Sequence, residues 1–165
     1  MSGYLGDADA TQAVLRRHDD GVLWVHTGDL GYLDEDGHLC LSGRMKRMII
    51  SHEDMKMSPF EIEGTILEEK DVVNCCVVGV LDTVHGHGQV PYAFVVLKNE
   101  LSEGEFDYLK ARCVARLPYR TRSMEFCIVD DLPVTPNGKV DYRKLERMAN
   151  GRAVDDREAR LRSRT

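Results

Sequence analysis

The sequence predicts an α+β fold, a small mixed or antiparallel sheet packed by helices and preceded by a short β-hairpin segment, and three observations lead there. Capping signatures open two helices, at Ser58-Pro59-Phe60-Glu61 and at Ser102-Glu103-Gly104-Glu105. The run from Val72 to Val80 is nearly continuous in β-branched and small apolar residues, as in a strand covered on both faces. Short apolar runs separated by acidic, Gly-ended turns occupy residues 22–42 and read as short antiparallel strands.

Asp19-Asp20-Gly21 is a turn signal ahead of Val22-Leu23-Trp24-Val25, a short strand. Tyr32-Leu33 and His38-Leu39-Cys40-Leu41 flank Asp34-Glu35-Asp36-Gly37, a hairpin turn whose Gly supplies the positive φ. Gly43-Arg44-Met45-Lys46-Arg47 is a basic break before the apolar Met48-Ile49-Ile50, so a boundary between two units is expected there. From Ser58, as N-cap of a capping box with Glu61, a helix should run to about Lys70 on the apolar face of Ile62, Ile66 and Leu67.

The Val72–Val80 run is expected to be the central strand of the second unit. Residues 81–91 read as a loop, and Tyr92 to Leu97 as a strand pairing back. Phe106, Leu109, Cys113, Val114 and Leu117 recur at helical spacing until Pro118. Met124, Phe126 and Ile128 alternate as a third strand, residues 131–138 form a loop, and Asp141 to Met148 a short helix ended by Asn150-Gly151. The residues beyond are charged and poor in large apolar groups, so a disordered tail is expected over 151–165. The strands of the second unit should gather in one small sheet.

The 165 residues suit one ordinary domain or a domain with a piece of another. With 22 Lys and Arg against 28 Asp and Glu, the net charge of -6 repels phosphate backbones and argues against a nucleic-acid partner. The apolar runs fall well short of the roughly 20 residues that span a bilayer, so no membrane-spanning segment is expected. Five cysteines, an odd number without a CxxC pair, read as reduced, buried thiols of a cytoplasmic protein. His85-Gly86-His87 lies near Cys75 and Cys76, but adjacent strand residues point to opposite faces and cannot both reach one ion; no metal ligands are assigned.

Three segments place charged groups in Gly-bearing loops: HTGDLGYLDEDG (26–37), GRMKRMI with SPFEIEG downstream (43–49 and 58–64), and LPVTPNGKVDYRKL (132–145). In this order and spacing, with Gly3-Tyr4-Leu5 and Ala10-Thr11 upstream, they resemble the carboxy-terminal motifs of the adenylate-forming superfamily, which includes acyl-CoA ligases, luciferases and peptide-synthetase adenylation domains. The resemblance covers residues 3 to about 150. It implies that residues 1–43 are the carboxy-terminal edge of a large AMP-binding domain and that 44–150 are the small mobile domain.

The resemblance also implies roles that suit the side chains. Asp29 would accept hydrogen bonds from the ribose hydroxyls of ATP, and Arg44 would donate to the same ribose. Lys46 would be the hinge between the two domains. Lys139 would be catalytic, neutralising charge between the substrate carboxylate and the α-phosphate as the acyl-adenylate forms. ATP with Mg2+ and CoA are the implied cofactors, a carboxylic acid the substrate, and an amino-terminal domain of the same polypeptide the partner. Lys at the hinge and VDYRKLE after Lys139 look more like an ATP-dependent acid-CoA ligase than a peptide-synthetase module. The loop Ile50-Ser51-His52-Glu53-Asp54-Met55-Lys56-Met57 departs from the family: it has no Gly and reads as one residue longer, so no CoA contact is carried over.

Nothing in the chain resembles the family's phosphate-binding loop or acid pocket, so it reads as a carboxy-terminal fragment expected to lack turnover alone. The alternatives are an amino-acid or aryl-acid adenylating enzyme and, in another class, a non-catalytic docking domain.

Overall fold

The computed structural model describes residues 1–118, 121 and 123–162. The chain divides into two compact units, Met1–Lys46 and Arg47–Thr165. The division falls three residues beyond the boundary expected after residue 43.

The first unit carries α1 (Ala8–Val14), capped by Asp7, whose side chain accepts from the Ala10 N–H. Two hairpins follow: β1 (Leu15–Arg17) with β2 (Leu23–Val25), and β3 (Asp29–Leu33) with β4 (Leu39–Arg44). The acidic turn forms as expected, since Asp34 Oδ1 accepts from the N–H groups of Asp36 and His38 while Gly37 takes φ +83°. At Gly31 the strands approach so closely that a Cβ would lie 2.7 Å from the Cys40 carbonyl oxygen. No residue of this unit is buried, and Leu33, Leu39 and Trp24 face solvent.

A 3₁₀ turn (Met45–Arg47) leads into the second unit, an α+β body. β5 (Ile49–Ile50) and β6 (Lys56–Met57) form their own two-stranded ladder, so the strands do not all gather in one sheet as expected. α2 (Pro59–Leu67) begins at the expected residue, with Pro59 presetting φ for the first turn. Ser58 makes no cap hydrogen bond, so the capping box expected there does not form; it is 8% exposed and lies against the body. α2 ends at Leu67, a turn before the expected Lys70.

β7 (Val72–Leu81), β8 (Gln89–Leu97) and β9 (Glu125–Ile128) form a mixed sheet in the order β7-β8-β9, β7 antiparallel and β9 parallel to β8. β8, not β7, is therefore central. The apolar run in β7 reports that both faces are covered, which depends on the flanking helices and not on lateral position. β8 starts at Gln89, before the strand predicted at Tyr92; β9 joins only from Tyr92, so Pro91 carries a ladder on one flank alone.

Cys75, Val77, Ala93 and Val95 pack on one face against Ile62 and Ile66 of α2 and against Leu109 and Cys113 of α3 (Glu103–Arg116). Cys76, Val78, Val80, Tyr92 and Phe94 pack on the other against Leu145 and Ala149 of α4 (Tyr142–Arg162). α3 has the predicted capping box in full, with Glu105 N–H to Ser102 Oγ and Ser102 N–H to Glu105 Oε2. Glu69, 7% exposed, joins α2 to α3 through Arg112 and through Arg116 at 2.8 Å.

α4 corrects the reading that ends this helix at Met148 and frees 151–165. It continues through Asn150-Gly151 to Arg162, while residues 163–165 lie outside the described residues. A single helical Gly costs only about 1 kcal/mol relative to Ala. Contacts on either side oppose that cost: Asn150 Oδ1 accepts from the Leu81 N–H, and Arg152 donates to Cys127 Sγ.

All five cysteines are free thiols, and four are buried. Burial first, then the Glu63 carboxylate, pushes the Cys75 and Cys76 thiols up to about 12, so both stay protonated at neutral pH. A thiol reagent at pH 8 should therefore react quickly with Cys40 alone in the folded chain and with all five thiols in urea. Because protonation is favoured in the fold, this stabilisation is complete below the ordinary thiol pKa and is lost as pH climbs toward about 12, which urea melts above pH 9 should register.

Candidate functional site

In the first unit, Gly28 takes φ +78°, which turns the chain between Thr27 and Asp29 at the start of β3. The Asp29 N–H donates to Thr27 Oγ1 at 3.1 Å, and the Met45 N–H donates to the Gly28 carbonyl at 2.9 Å. These bonds tie the start of β3 to the end of β4 and set Asp29 opposite Arg44 in the ladder. Arg44 Nε donates to Asp29 Oδ1 at 2.5 Å, with the two side chains 64% and 29% exposed. An exposed pair of this kind adds at most about 1 kcal/mol of stability. Its consequence is orientation: one carboxylate oxygen is committed to the pair, which holds the two side chains against each other.

Lys46 is exposed in the 3₁₀ turn at the end of the first unit. Lys139 belongs to the second unit, on a tight turn between β9 and α4 bridged at Val134 and Val140. The Thr135 N–H donates to the Lys139 carbonyl at 2.7 Å and the Gly138 N–H to the Thr135 carbonyl at 2.9 Å, with Gly138 at φ +78°. The Thr135 hydroxyl lies 3.0 Å from the Lys139 carbonyl and 2.5 Å from Asn137 Oδ1. Downstream, the Asp141 N–H bonds the Pro133 carbonyl, and Asp141 Oδ1 caps α4 through the Lys144 N–H. A rigid backbone thus presents an exposed ammonium on a flexible stem. The structure brings Asp29 and Arg44 into contact and sets Lys139 on a separate unit.

Two residues that sequence reasoning missed shape this region. Arg47, the last residue of the basic break, turns into the second unit and pairs with Glu63 at 2.5 Å, which no local signal distinguishes from a solvated arginine. Asp54 stands at φ +57°, the one non-glycine with positive φ among the described residues. The loop 50–57 therefore keeps a left-handed position without a Gly. Asp tolerates that conformation better than most residues, and the Ser51 hydroxyl, accepting from the Glu53 and Met55 N–H groups, holds the turn around it.

Comparison with known proteins shows which family this fold and these segments are similar to. The family model for the AMP-binding enzyme C-terminal domain matches residues 61–139. A 4-coumarate--CoA ligase from Glycine max is 32% identical over 145 residues, 88% of this chain and 47% of the relative. An amide bond synthetase, McbA from Marinactinospora thermotolerans, superposes with a TM-score of 0.76 at 33% identity, over 90% of this chain and 28% of that one. ATP-bound MatB from Rhodopseudomonas palustris superposes with a TM-score of 0.72 at 29% identity, again over 90% and 28%. Residues 61–139 belong to the C-terminal domain of the adenylate-forming superfamily, and the chain spans less than half the length of these relatives.

The strained position yields a prediction. Asp54→Gly should leave the urea midpoint unchanged or raise it, whereas Asp54→Val should destabilise by about 1–2 kcal/mol. Equal effects of the two substitutions would mean that φ at residue 54 is unconstrained.

Proposed function

We propose that the chain is the carboxy-terminal part of an ATP-dependent acid-CoA ligase that converts a carboxylic acid to its acyl-adenylate and passes the acyl group to the CoA thiol. The observation that carries this reading is the presentation of Lys139, a solvent-facing ammonium on a doubly bonded turn, within a domain of this family. The Asp29–Arg44 pair supports it with a carboxylate and a guanidinium ready for the ribose hydroxyls.

In the first half-reaction the substrate carboxylate oxygen attacks the α-phosphorus of ATP, a P–O bond forms, and pyrophosphate leaves with the electrons of the bond that breaks. Negative charge gathers between the two reacting anions, and Lys139 offsets it there. In the second, the thiol attacks the acyl carbon, its proton passes to solvent, and AMP leaves. Lys46, exposed at the junction, would absorb the backbone rotation that exchanges one half-reaction for the other. Mg2+ enters with the ATP phosphates, and no ligand for it is assigned among these residues.

The absence of any buried residue in the first unit supports reading residues 1–43 as the edge of a large amino-terminal domain, without which this chain would have no turnover. A cytoplasmic location is part of the same proposal; no helix among the described residues is long and apolar enough to cross a membrane. The likeness to an amide bond synthetase favours a second reading, in which an amine and not a thiol accepts the acyl group.

Acid-dependent ATP/pyrophosphate exchange by the polypeptide that joins this chain to its large domain tests the proposal. Lys139→Ala should reduce exchange at least 100-fold, the effect of losing about 3–4 kcal/mol of transition-state stabilisation. Exchange that survives the substitution would remove Lys139 from the chemistry. Supplying CoA or an amine as the acceptor then separates the two readings of the second step.

A further inference from the structure

His52, Asp82 and His85 come together on two loops of the second unit. His52 Nδ1 lies 3.2 Å and His85 Nδ1 2.8 Å from the same oxygen, Asp82 Oδ2, and the three ligating atoms all fall within 4.8 Å of one another. Donor atoms held tetrahedrally about 2.0–2.1 Å from a zinc ion are separated by roughly 3.3 Å. We propose that His52 Nδ1, Asp82 Oδ2 and His85 Nδ1 bind one divalent transition-metal ion of the zinc class. This proposal does not depend on the adenylation reading.

The surroundings hold these atoms for the task. The Asp82 side chain is 5% exposed, and its other oxygen, Oδ1, accepts from the Val84 and His85 N–H groups at 2.9 and 3.1 Å, which leaves Oδ2 as the free donor. The Asp82 main chain is fixed on both sides, N–H to the Gly88 carbonyl at 3.0 Å and carbonyl to the Gly86 N–H at 2.9 Å. His87 joins the two loops, with Nδ1 3.1 Å from the His85 carbonyl and Nε2 3.1 Å from the His52 carbonyl. At Gly88, φ +75°, a Cβ would stand 2.3 Å from the His52 nitrogen, so only glycine lets the loops approach this closely. The His52 and His85 rings stack with centroids 3.5 Å apart and planes 12° from parallel, so one ring turns out of the stack for both Nδ1 lone pairs to meet at one ion.

The donor set selects the ion. Two imidazoles and one carboxylate suit Zn2+, Co2+ or Ni2+, whereas Mg2+ and Ca2+ require oxygen ligands. His52 is 30% and His85 46% exposed, so solvent reaches the cluster and water completes the coordination. On binding, each Nδ1 lone pair and Asp82 Oδ2 would take the metal, with any proton on Nδ1 passing to Nε2 or to solvent. The ion would then clamp the loop between β5 and β6 onto the loop between β7 and β8.

Calorimetric titration of the metal-free 165-residue chain with ZnCl2 against a competing chelator tests this, with Co2+ as a spectroscopic probe. One ion per chain is expected, with the visible absorption of four-coordinate Co2+ and a Tm that rises with zinc. His52→Ala and His85→Ala should each weaken binding at least tenfold and abolish the Co2+ band, with circular dichroism of the metal-free variants confirming the fold. His18→Ala is the control, because His18 and His26 in the first unit face each other with Nε2 atoms 2.8 Å apart. No binding to the wild-type chain, or binding that survives His85→Ala or disappears with His18→Ala, would overturn the proposal.

Discussion

The second unit depends on the Arg47 guanidinium. Its Nη2 donates to Glu63 Oε1 at 2.5 Å and to the Val77 carbonyl at 3.2 Å, its carbon lies 4.1 Å from the Tyr142 ring centroid, and Nη1 reaches the Tyr142 hydroxyl at 3.4 Å. Glu63 Oε1 also accepts from the Val77 N–H at 2.9 Å. The Arg47–Glu63 pair therefore satisfies both main-chain groups of Val77 on the outer side of β7, an edge strand whose unpaired row is open to another chain. Burial works to lower the Arg47 pKa, and the hydrogen bond and charge of Glu63 more than offset it, leaving it raised. The same side chain sits one residue after Lys46 and touches the first residue of α4, three positions after Lys139. One half-buried cation thus touches both the start of the second unit and the base of the turn that carries Lys139.

That arrangement separates two kinds of charge. Arg47 and Glu63 are 21% and 13% exposed, and removing either would strand its partner in the interior at a cost of about 3–5 kcal/mol. Asp29 and Arg44 form a similar contact on the surface, where water screens it, and so serve orientation more than stability. Lys139 is exposed, shows no side-chain partner among the described residues, and is held through its backbone. The three sites thus run from a half-buried pair to an exposed pair to an exposed ammonium.

Much of the architecture was legible because local chemistry decides it. The Ser102 and Glu105 spacing forms its capping box, and the apolar β7 run divides between two cores, with Cys75 and Cys76 on opposite faces as the two-residue strand period requires. The family was readable from the order and spacing of the motif segments. Where tertiary contacts outweigh local preference, the sequence was silent or misleading. Gly151 marks a helix stop until Asn150 and Arg152 find partners on β7 and β9. Ser58 has the signature of a cap that it does not form. Arg47 looks like its basic neighbours, and the meeting of His52 with Asp82 and His85 depends on two loops that only the fold brings together.

The central claim, that Arg47 and Glu63 are coupled as the anchor of this domain, is tested most directly by a double-mutant cycle in urea with Arg47→Met, Glu63→Gln and the pair. The account predicts that the two losses fall short of adding by about 1–3 kcal/mol, because the second substitution relieves the unpaired charge left by the first. Losses that add within about 0.5 kcal/mol would contradict it, and would make Arg47 a surface arginine that happens to lie near a carboxylate.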